Sequence, residues 1–301
     1  MAVISRTQFI SLSAAAALHY PFFPLLSKKK QAMTATILST GEILPRIGLG
    51  TYQIFEAVEP QHAAALLGEF YSLGGRLVDS SPMYGEAEAV TGSASVQLGL
   101  NAQLFLATKV WTSGRERGVS QIKESLRLLG RQKLELMQIH NLVDWKTQIK
   151  TLRTYKEAGI FRYIGLTHYQ VSVFRELARI LKNEAVDFLQ IPYSIAETAA
   201  EERLLGIAHE RQVAVIANEP FAQGRLFRQV KGKPVPAWAV ERGMKSWAQY
   251  FLKFILSEPR IQFVIPATRR LEHLRDNMSA GVGYLPDASE RQRMLADFRN
   301  L

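Results

Sequence analysis

Residues 104–140 read LFLATKVWTSGRERGVSQIKESLRLLGRQKLELMQIH, and this stretch decides the fold. It opens on one apolar run, Leu104–Lys109, and closes on another, Leu134–His140. Between them Val119, Ile122, Leu126 and Leu129 recur at helical spacing, which predicts a helix with one buried face. A strand apolar on both sides, a helix and a second such strand make a βαβ unit, with parallel strands covered by the helix. The same alternation extends in both directions. The further strand candidates are Ile47–Thr51, Leu77–Ser80, Tyr163–Thr167, Phe188–Ile191, Val213–Ala217 and Phe263–Pro266. Amphipathic stretches lie between them, among them Gln61–Leu73, Val119–Leu129, Trp145–Glu157, Val171–Leu181 and Ala199–Glu210. Eight such units in one chain predict an α/β fold of the (β/α)8 TIM-barrel type. A doubly wound sheet is the alternative, disfavoured because no G-x-G-x-x-G follows the first strand. Thr36–Ser39 and Glu42–Pro45, around Thr40-Gly41, read as an N-terminal β-hairpin ahead of the barrel. The longest interruption, 221–237, is rich in Gly, Pro and basic residues and falls between the seventh and eighth strands.

Composition agrees with one large domain. The chain has 301 residues, 47% hydrophobic and 21% charged, enough apolar material for a sizeable core. It contains no cysteine, which excludes disulfides, thiolate nucleophiles, thiolate zinc sites and iron–sulfur clusters. The six histidines, His19, His62, His140, His168, His209 and His273, form no H-x-H or H-x-x-x-H pair, so no metal site is expected. The net charge is +10, of which Arg6, Lys28, Lys29 and Lys30 carry part in the first 33 residues without an opposing acid. The remaining excess suits an anionic ligand such as a phosphorylated cofactor. Nucleic acid is not expected, since no dense basic stripe with interleaved aromatics is present.

Residues 1–33 read as a signal or leader segment, leaving 34–301 as the barrel domain. The apolar run Phe9–Leu18 follows a single charge, Arg6, and has the length of a signal-peptide core, short of a membrane span. Ser5-Arg6-Thr7-Gln8-Phe9-Ile10 is similar to a twin-arginine export signal with Thr7 at the second arginine. The expectation is a periplasmic protein carried by the export machinery, with a cytoplasmic location and a disordered or membrane-associated tail as the alternative.

In a barrel of this kind the chemistry gathers at the C-terminal ends of the strands. The second strand ends near Asp79, with Tyr84 five residues on. The third ends at Lys109 and the fourth at His140. Singly, these residues have plainer readings: a turn cap, a loop aromatic, a satisfied core histidine. Lys109 is harder to set aside, because a lysine entering a crowded interior needs a partner. Together, at one rim, they favour chemistry. A tyrosine hydroxyl ionises near pH ~10 in water, and a neighbouring ammonium is expected to lower that value. Lys109 supplies the charge, Asp79 keeps it charged and aimed, and His140 addresses the same substrate oxygen as Tyr84. The set is a proton donor with an oxyanion clamp. No nucleophile–base pair accompanies it, so hydrolysis through a covalent intermediate is not expected. After the eighth strand, Thr268, Arg269 and Arg270 precede a helix that begins near Glu272, a place suited to a phosphomonoester. A solvated basic turn is the alternative there. Arg225, Arg228, Lys231 and Lys233 of the 221–237 loop are candidates to close over a pyrophosphate, or to be an exposed loop.

With these motifs in place, the chain resembles an aldo-keto reductase from about Ile43 to Leu301. The resemblance rests on Gly48-Leu49-Gly50-Thr51-Tyr52, on the tetrad Asp79, Tyr84, Lys109 and His140, and on Ile265-Pro266-Ala267-Thr268 with Asn277. It implies reversible hydride transfer between NADP(H) and an aldehyde, ketone or alcohol, with Tyr84 as general acid. It also implies Thr51, Thr167, His168, Gln190, Asn218, Glu219 and Phe221 along the cofactor, the second to fourth of these at the nicotinamide carboxamide. Thr268, Arg269, His273 and Asn277 are implied at the adenosine phosphate and adenine. The chain departs from the family pattern at Thr167-His168, where Ser-Asn is frequent, at Asn218, where a tyrosine often stacks, and at His273, where an arginine is common. Tyr52, Trp111 and Asn141 are the expected substrate wall, with Met83 and Phe221 beside them. A non-catalytic NADP(H)-binding sensor or regulatory subunit with the same fold is the rival reading.

Overall fold

The computed structural model describes residues 32–301. The leader read at residues 1–33 lies, up to residue 31, outside the described residues. Ala32 already pairs with Val282 across an antiparallel bridge, and the Met33 N–H donates to the Gly281 carbonyl at 2.6 Å.

The hairpin comes first, β1 (Thr34–Thr36) and β2 (Ile43–Pro45). Then follow β3 (Leu49–Gly50), α1 (Pro60–Ser72), β4 (Leu77–Asp79), α2 (Ala87–Gln97), β5 (Phe105–Val110) and α3 (Arg115–Leu128). The next are β6 (Leu134–His140), α4 (Trp145–Glu157), β7 (Phe161–Thr167), α5 (Phe174–Asn183), β8 (Phe188–Pro192), α6 (Leu204–Glu210) and β9 (Ala214–Asn218). The last part holds α7 (Arg225–Gln229), α8 (Ala237–Glu241), α9 (Trp247–Leu256), β10 (Phe263–Val264), α10 (Leu271–Ala280) and α11 (Ala288–Arg299). Strands β3 to β10 form one parallel sheet in chain order, each paired with the next. The first and last meet through a parallel bridge between Ile47 and Val264, where the Gly48 N–H donates to the Val264 carbonyl at 2.8 Å and the Val264 N–H to the Arg46 carbonyl at 2.9 Å. The ring therefore closes, and the doubly wound alternative is excluded.

The hairpin is displaced from the predicted one. Its register pairs Thr34 with Pro45, Ala35 with Leu44 and Thr36 with Ile43, so the turn spans residues 37–42 instead of Thr40-Gly41 alone. The cause is tertiary. Ile37 is fully buried with Leu44 against Leu77, Phe105, Tyr163 and Phe188, so the hairpin plugs the lower end of the barrel. The turn is fastened there by Ser39, which donates to Asp187, and by Thr40, hydrogen-bonded to the Tyr163 hydroxyl.

Strand alternation sorts the interior into layers. Phe105, Leu136, Tyr163, Phe188, Ala214 and Phe263 point inward and fill the lower half, while Leu106, Met137, Ile164, Leu189 and Val215 point outward to the helices. Further along the same inward faces the side chains turn polar: Asp79, Lys109, Gln138, Thr167 and Gln190, all buried. Gly165 makes room for this layer, since a Cβ there would lie 2.9 Å from the Phe188 carbonyl oxygen and 3.2 Å from Gln138 Cγ. Helix α9 is buried along nearly its whole length, and even its polar stripe, Gln249 and Lys253, is covered.

Candidate active site

Asp79 ends β4 and is the hub of the polar layer. Its Oδ2 accepts from Lys109 Nζ at 2.7 Å, and its Oδ1 accepts from Gln138 Nε2 at 3.2 Å and Gln190 Nε2 at 2.9 Å. Lys109 also donates to the Ser80 carbonyl at 2.6 Å. The carboxylate is thus held by a cation and two amides, as a charge taken out of water requires. Lys109 Nζ lies 4.8 Å from the centroid of the Tyr84 ring, so the amine and the phenol share one site as the sequence predicts. Tyr84 is brought in by the turn Ser81-Pro82-Met83-Tyr84, closed by the Tyr84 N–H on the Ser81 carbonyl at 2.9 Å. His140 ends β6 with its ring 6.0 Å from that of Tyr84, edge to face.

The electrostatics correct one expectation. Burial pushes the Tyr84 phenol up, Lys109 pulls it down through its charge and a hydrogen bond, and Asp79 and Tyr52 push it up again, so its pKa ends above the ordinary tyrosine value. Desolvation together with Asp79 and Tyr52 outweighs the ammonium, and the phenol rests protonated instead of being shifted toward neutrality. Lys109 is the converse case. Burial alone would lower it, but Asp79 and Tyr84 together hold it above the usual lysine value. His140 is pushed down to about 3 by burial, Lys109 and His168, and is a neutral imidazole near pH 7.

This group faces a cavity of about 710 Å³ at the C-terminal mouth of the barrel. Of the predicted residues it gathers Thr51, Tyr52, Asp79, Tyr84, Trp111, His140 and Asn141 on one side. Thr167, His168, Gln190, Asn218, Glu219, Phe221 and Arg269 complete it on the other. Lys109 lies beneath its floor, fully enclosed. Thr268, His273 and Asn277 do not line it: Thr268 accepts the Arg270 N–H at 3.2 Å, Asn277 is buried on α10 and His273 is exposed there. The basic residues of the 221–237 loop do not line it either, and that loop reaches the cavity through Phe221, Gln223 and Gly224. The reason is local, because Glu219, Ala222, Gln223 and Gly224 all adopt left-handed backbone and coil the loop back before Arg225.

Several side chains are committed internally. Gln190 donates to Asp79 and accepts from Thr167 Oγ1 at 2.8 Å, so both belong to the polar layer as well as to the wall. His168 Nδ1 accepts the Gln170 N–H at 3.0 Å, which leaves its other ring nitrogen as an N–H donor. Two buried amide oxygens on the cavity wall, Asn141 Oδ1 and Asn218 Oδ1, have no donor among the described residues. A Cβ at Gly50 would lie 3.1 Å from the Ile265 carbonyl oxygen, so the wall there is bare backbone. The Arg269 carbonyl accepts from His62 at 2.6 Å, which ties the turn after β10 to α1. Unsatisfied amide acceptors, open backbone and an arginine at the rim fit a ligand that carries a carboxamide at one end and a phosphate at the other. Among the residues of this site that were not picked out from the sequence are Gln138 and Ser81, which hold Asp79 and His140, and Gln53, Ile54 and Tyr169 on the wall. Gln138 was findable, since it lies two residues before His140 and so shares its inward face.

A sequence model of the Aldo/keto reductase family matches residues 46–290. The methylglyoxal reductase YeaE of Escherichia coli (strain K12) is 27% identical over 242 residues, 78% of this chain and 84% of its own length. An aldo-keto reductase of Mycobacterium sp. (strain JLS) is 31% identical over 254 residues, 80% of this chain and 84% of its own. Among solved structures, an aldo-keto reductase from Klebsiella pneumoniae in complex with NADPH superposes with a TM-score of 0.76 at 23% identity, covering 89% of this chain and 95% of that one.

Proposed function

The chain belongs to the aldo/keto reductase family, and from that premise we propose that it reduces an aldehyde or ketone to the alcohol with NADPH, Tyr84 acting as general acid. The observation that carries this reading is the convergence of Tyr84, Asp79 and His140 on one cavity wall with Lys109 enclosed beneath it. When bound, NADPH would supply the hydride. His168, Asn218 and Asn141 are the residues whose free donor or acceptor atoms suit its carboxamide, with Thr167 and Gln190 shaping the same wall. Arg269 suits a phosphate, and Thr268, His273 and Asn277 lie on the adjoining turn and helix.

The chain's own part is to hold the carbonyl oxygen and protonate it. Tyr84 Oη donates its proton to that oxygen as the carbonyl carbon gains the hydride, leaving the alcohol and a phenolate beside Lys109. The ammonium is fixed before the reaction, so it stabilises the phenolate at no cost in reorganisation. A raised resting pKa suits this task, since an acid must be protonated before it can donate. His140, neutral at working pH, offers a hydrogen bond to the same oxygen without competing as an acid. Tyr52 and Trp111 flank the pair, with rings 4.8 Å from Tyr84 and 6.3 Å from His140, and make an apolar wall for an uncharged substrate. The test is steady-state oxidation of NADPH against a panel of aldehydes. Turnover that is lost in Tyr84→Phe supports the reading. Tight NADPH binding with no turnover on any carbonyl would favour the sensor.

A further inference from the structure

Ser81 is fully buried and plays no part in the proton path. Its Oγ lies 3.1 Å from His140 Nδ1 and accepts the Met83 backbone N–H at 3.2 Å. A serine hydroxyl has one hydrogen to give. If His140 carried its proton on Nδ1, Ser81 Oγ would receive two donors, and its own hydrogen would face no acceptor among the described residues. A buried donor left in that state is disfavoured, because it has given up water and gained no partner. If Nδ1 is bare, Ser81 donates to it and every group is satisfied. From this we infer that Ser81 is a positioning residue that holds His140 in the Nε2–H tautomer, so that a neutral imidazole presents a donor to the substrate oxygen.

The local structure supports the assignment. Ser81, Pro82, Met83 and Tyr84 form one tight turn, in which Pro82 presets the backbone and the Ser81 hydroxyl receives the N–H two residues on. The turn that delivers the phenol therefore also sets the imidazole. Tyr84 and Trp111 lie against the His140 ring, which limits its rotation. The consequence for turnover rests on the carbonyl-reduction reading, whereas the tautomer itself is measurable without turnover.

The experiment is long-range proton–nitrogen NMR of the imidazoles in the full chain labelled with 15N-histidine, with the His140 signal identified by its loss in His140→Asn. The wild type is expected to show a bare Nδ1 and a protonated Nε2 at His140. In Ser81→Ala a share of His140 is expected to move to Nδ1–H, with kcat lowered by about tenfold or more and the NADPH KM held within about twofold. Ser81→Thr, which keeps the hydroxyl, is expected to restore the wild-type tautomer. A wild-type His140 protonated on Nδ1 overturns the proposal. So does a folded Ser81→Ala protein whose His140 spectrum matches the wild type. If Ser81→Ala does not fold, the wild-type spectrum decides alone. If no carbonyl is turned over while His140 is Nε2-protonated, it is the functional reading that has failed.

Discussion

Replacing Lys109 with Met removes the ammonium and keeps most of the stem. Its Nζ is 4.8 Å from the Tyr84 ring centroid. At the effective dielectric that suits protein interiors, a unit charge pair at that distance interacts by about 3 kcal/mol, or about two powers of ten in rate if the phenolate is well formed in the transition state. The expected result is a fall in kcat of about a hundredfold. Stability should fall too, because Asp79 keeps Gln138 and Gln190 but loses its cation, and an uncompensated buried charge costs about 3–5 kcal/mol. The double variant Asp79→Asn with Lys109→Met separates the two effects, since it restores neutrality and much of the melting temperature while kcat stays low. The pH profile gives a second readout. Tyr84 acts in its protonated form, so reduction persists below its pKa and is lost above it, and that pKa already lies above the ordinary tyrosine value. Without the downward pull of Lys109 the alkaline limb should move higher still. A folded Lys109→Met protein with kcat within about threefold of the wild type, or an alkaline limb that moves down, would refute the argument.

His140 links pH to stability. Its folded pKa of about 3 lies below the 6.5 of an unperturbed histidine, so its contribution is present above pH 6.5 and is lost as the pH falls from there toward 3. By linkage this amounts to about 2 kcal/mol lost by pH ~5, and a His140→Asn variant should show a correspondingly shallower fall in melting temperature over the same range. Arg269→Ala should weaken NADPH binding by about tenfold or more and NADH binding much less, as fluorescence titration would show; equal losses would remove Arg269 from the phosphate site. Trp111→Ala should raise KM for bulky aldehydes with little change in kcat, the pattern of lost uniform binding. For the leader, fusion of residues 1–33 to a reporter active only after export in the folded state should yield reporter activity that disappears on Arg6→Gln. Export that survives this substitution contradicts the twin-arginine reading.

How much could be read in advance depended on the kind of signal. Strands β4 to β9 were legible because burial on both faces makes each a short, nearly continuous apolar run between helices of clear period. Lys109 was legible because a lysine entering a crowded interior needs a partner, and Asp79, which alone reads as a turn cap, because it ends the neighbouring strand at the same rim. The hairpin register was not, and is displaced by two residues because Ile37 has to reach the barrel floor. Ser81 carried no signal at all. Its partner is His140, 59 positions away, and nothing near it in the chain distinguishes it from an ordinary turn serine.

The net state of Tyr84 shows the division between the two levels. From residue types and spacing alone, a phenol, an amine, an acid and an imidazole at one rim were determined, because strand alternation and the parallel repeat place the ends of successive strands together. Which force governs the phenol was decided only in three dimensions. Attraction to Lys109 depends on one separation, but desolvation depends on every atom packed around the ring, and those atoms come from strands, turns and loops scattered along the whole barrel.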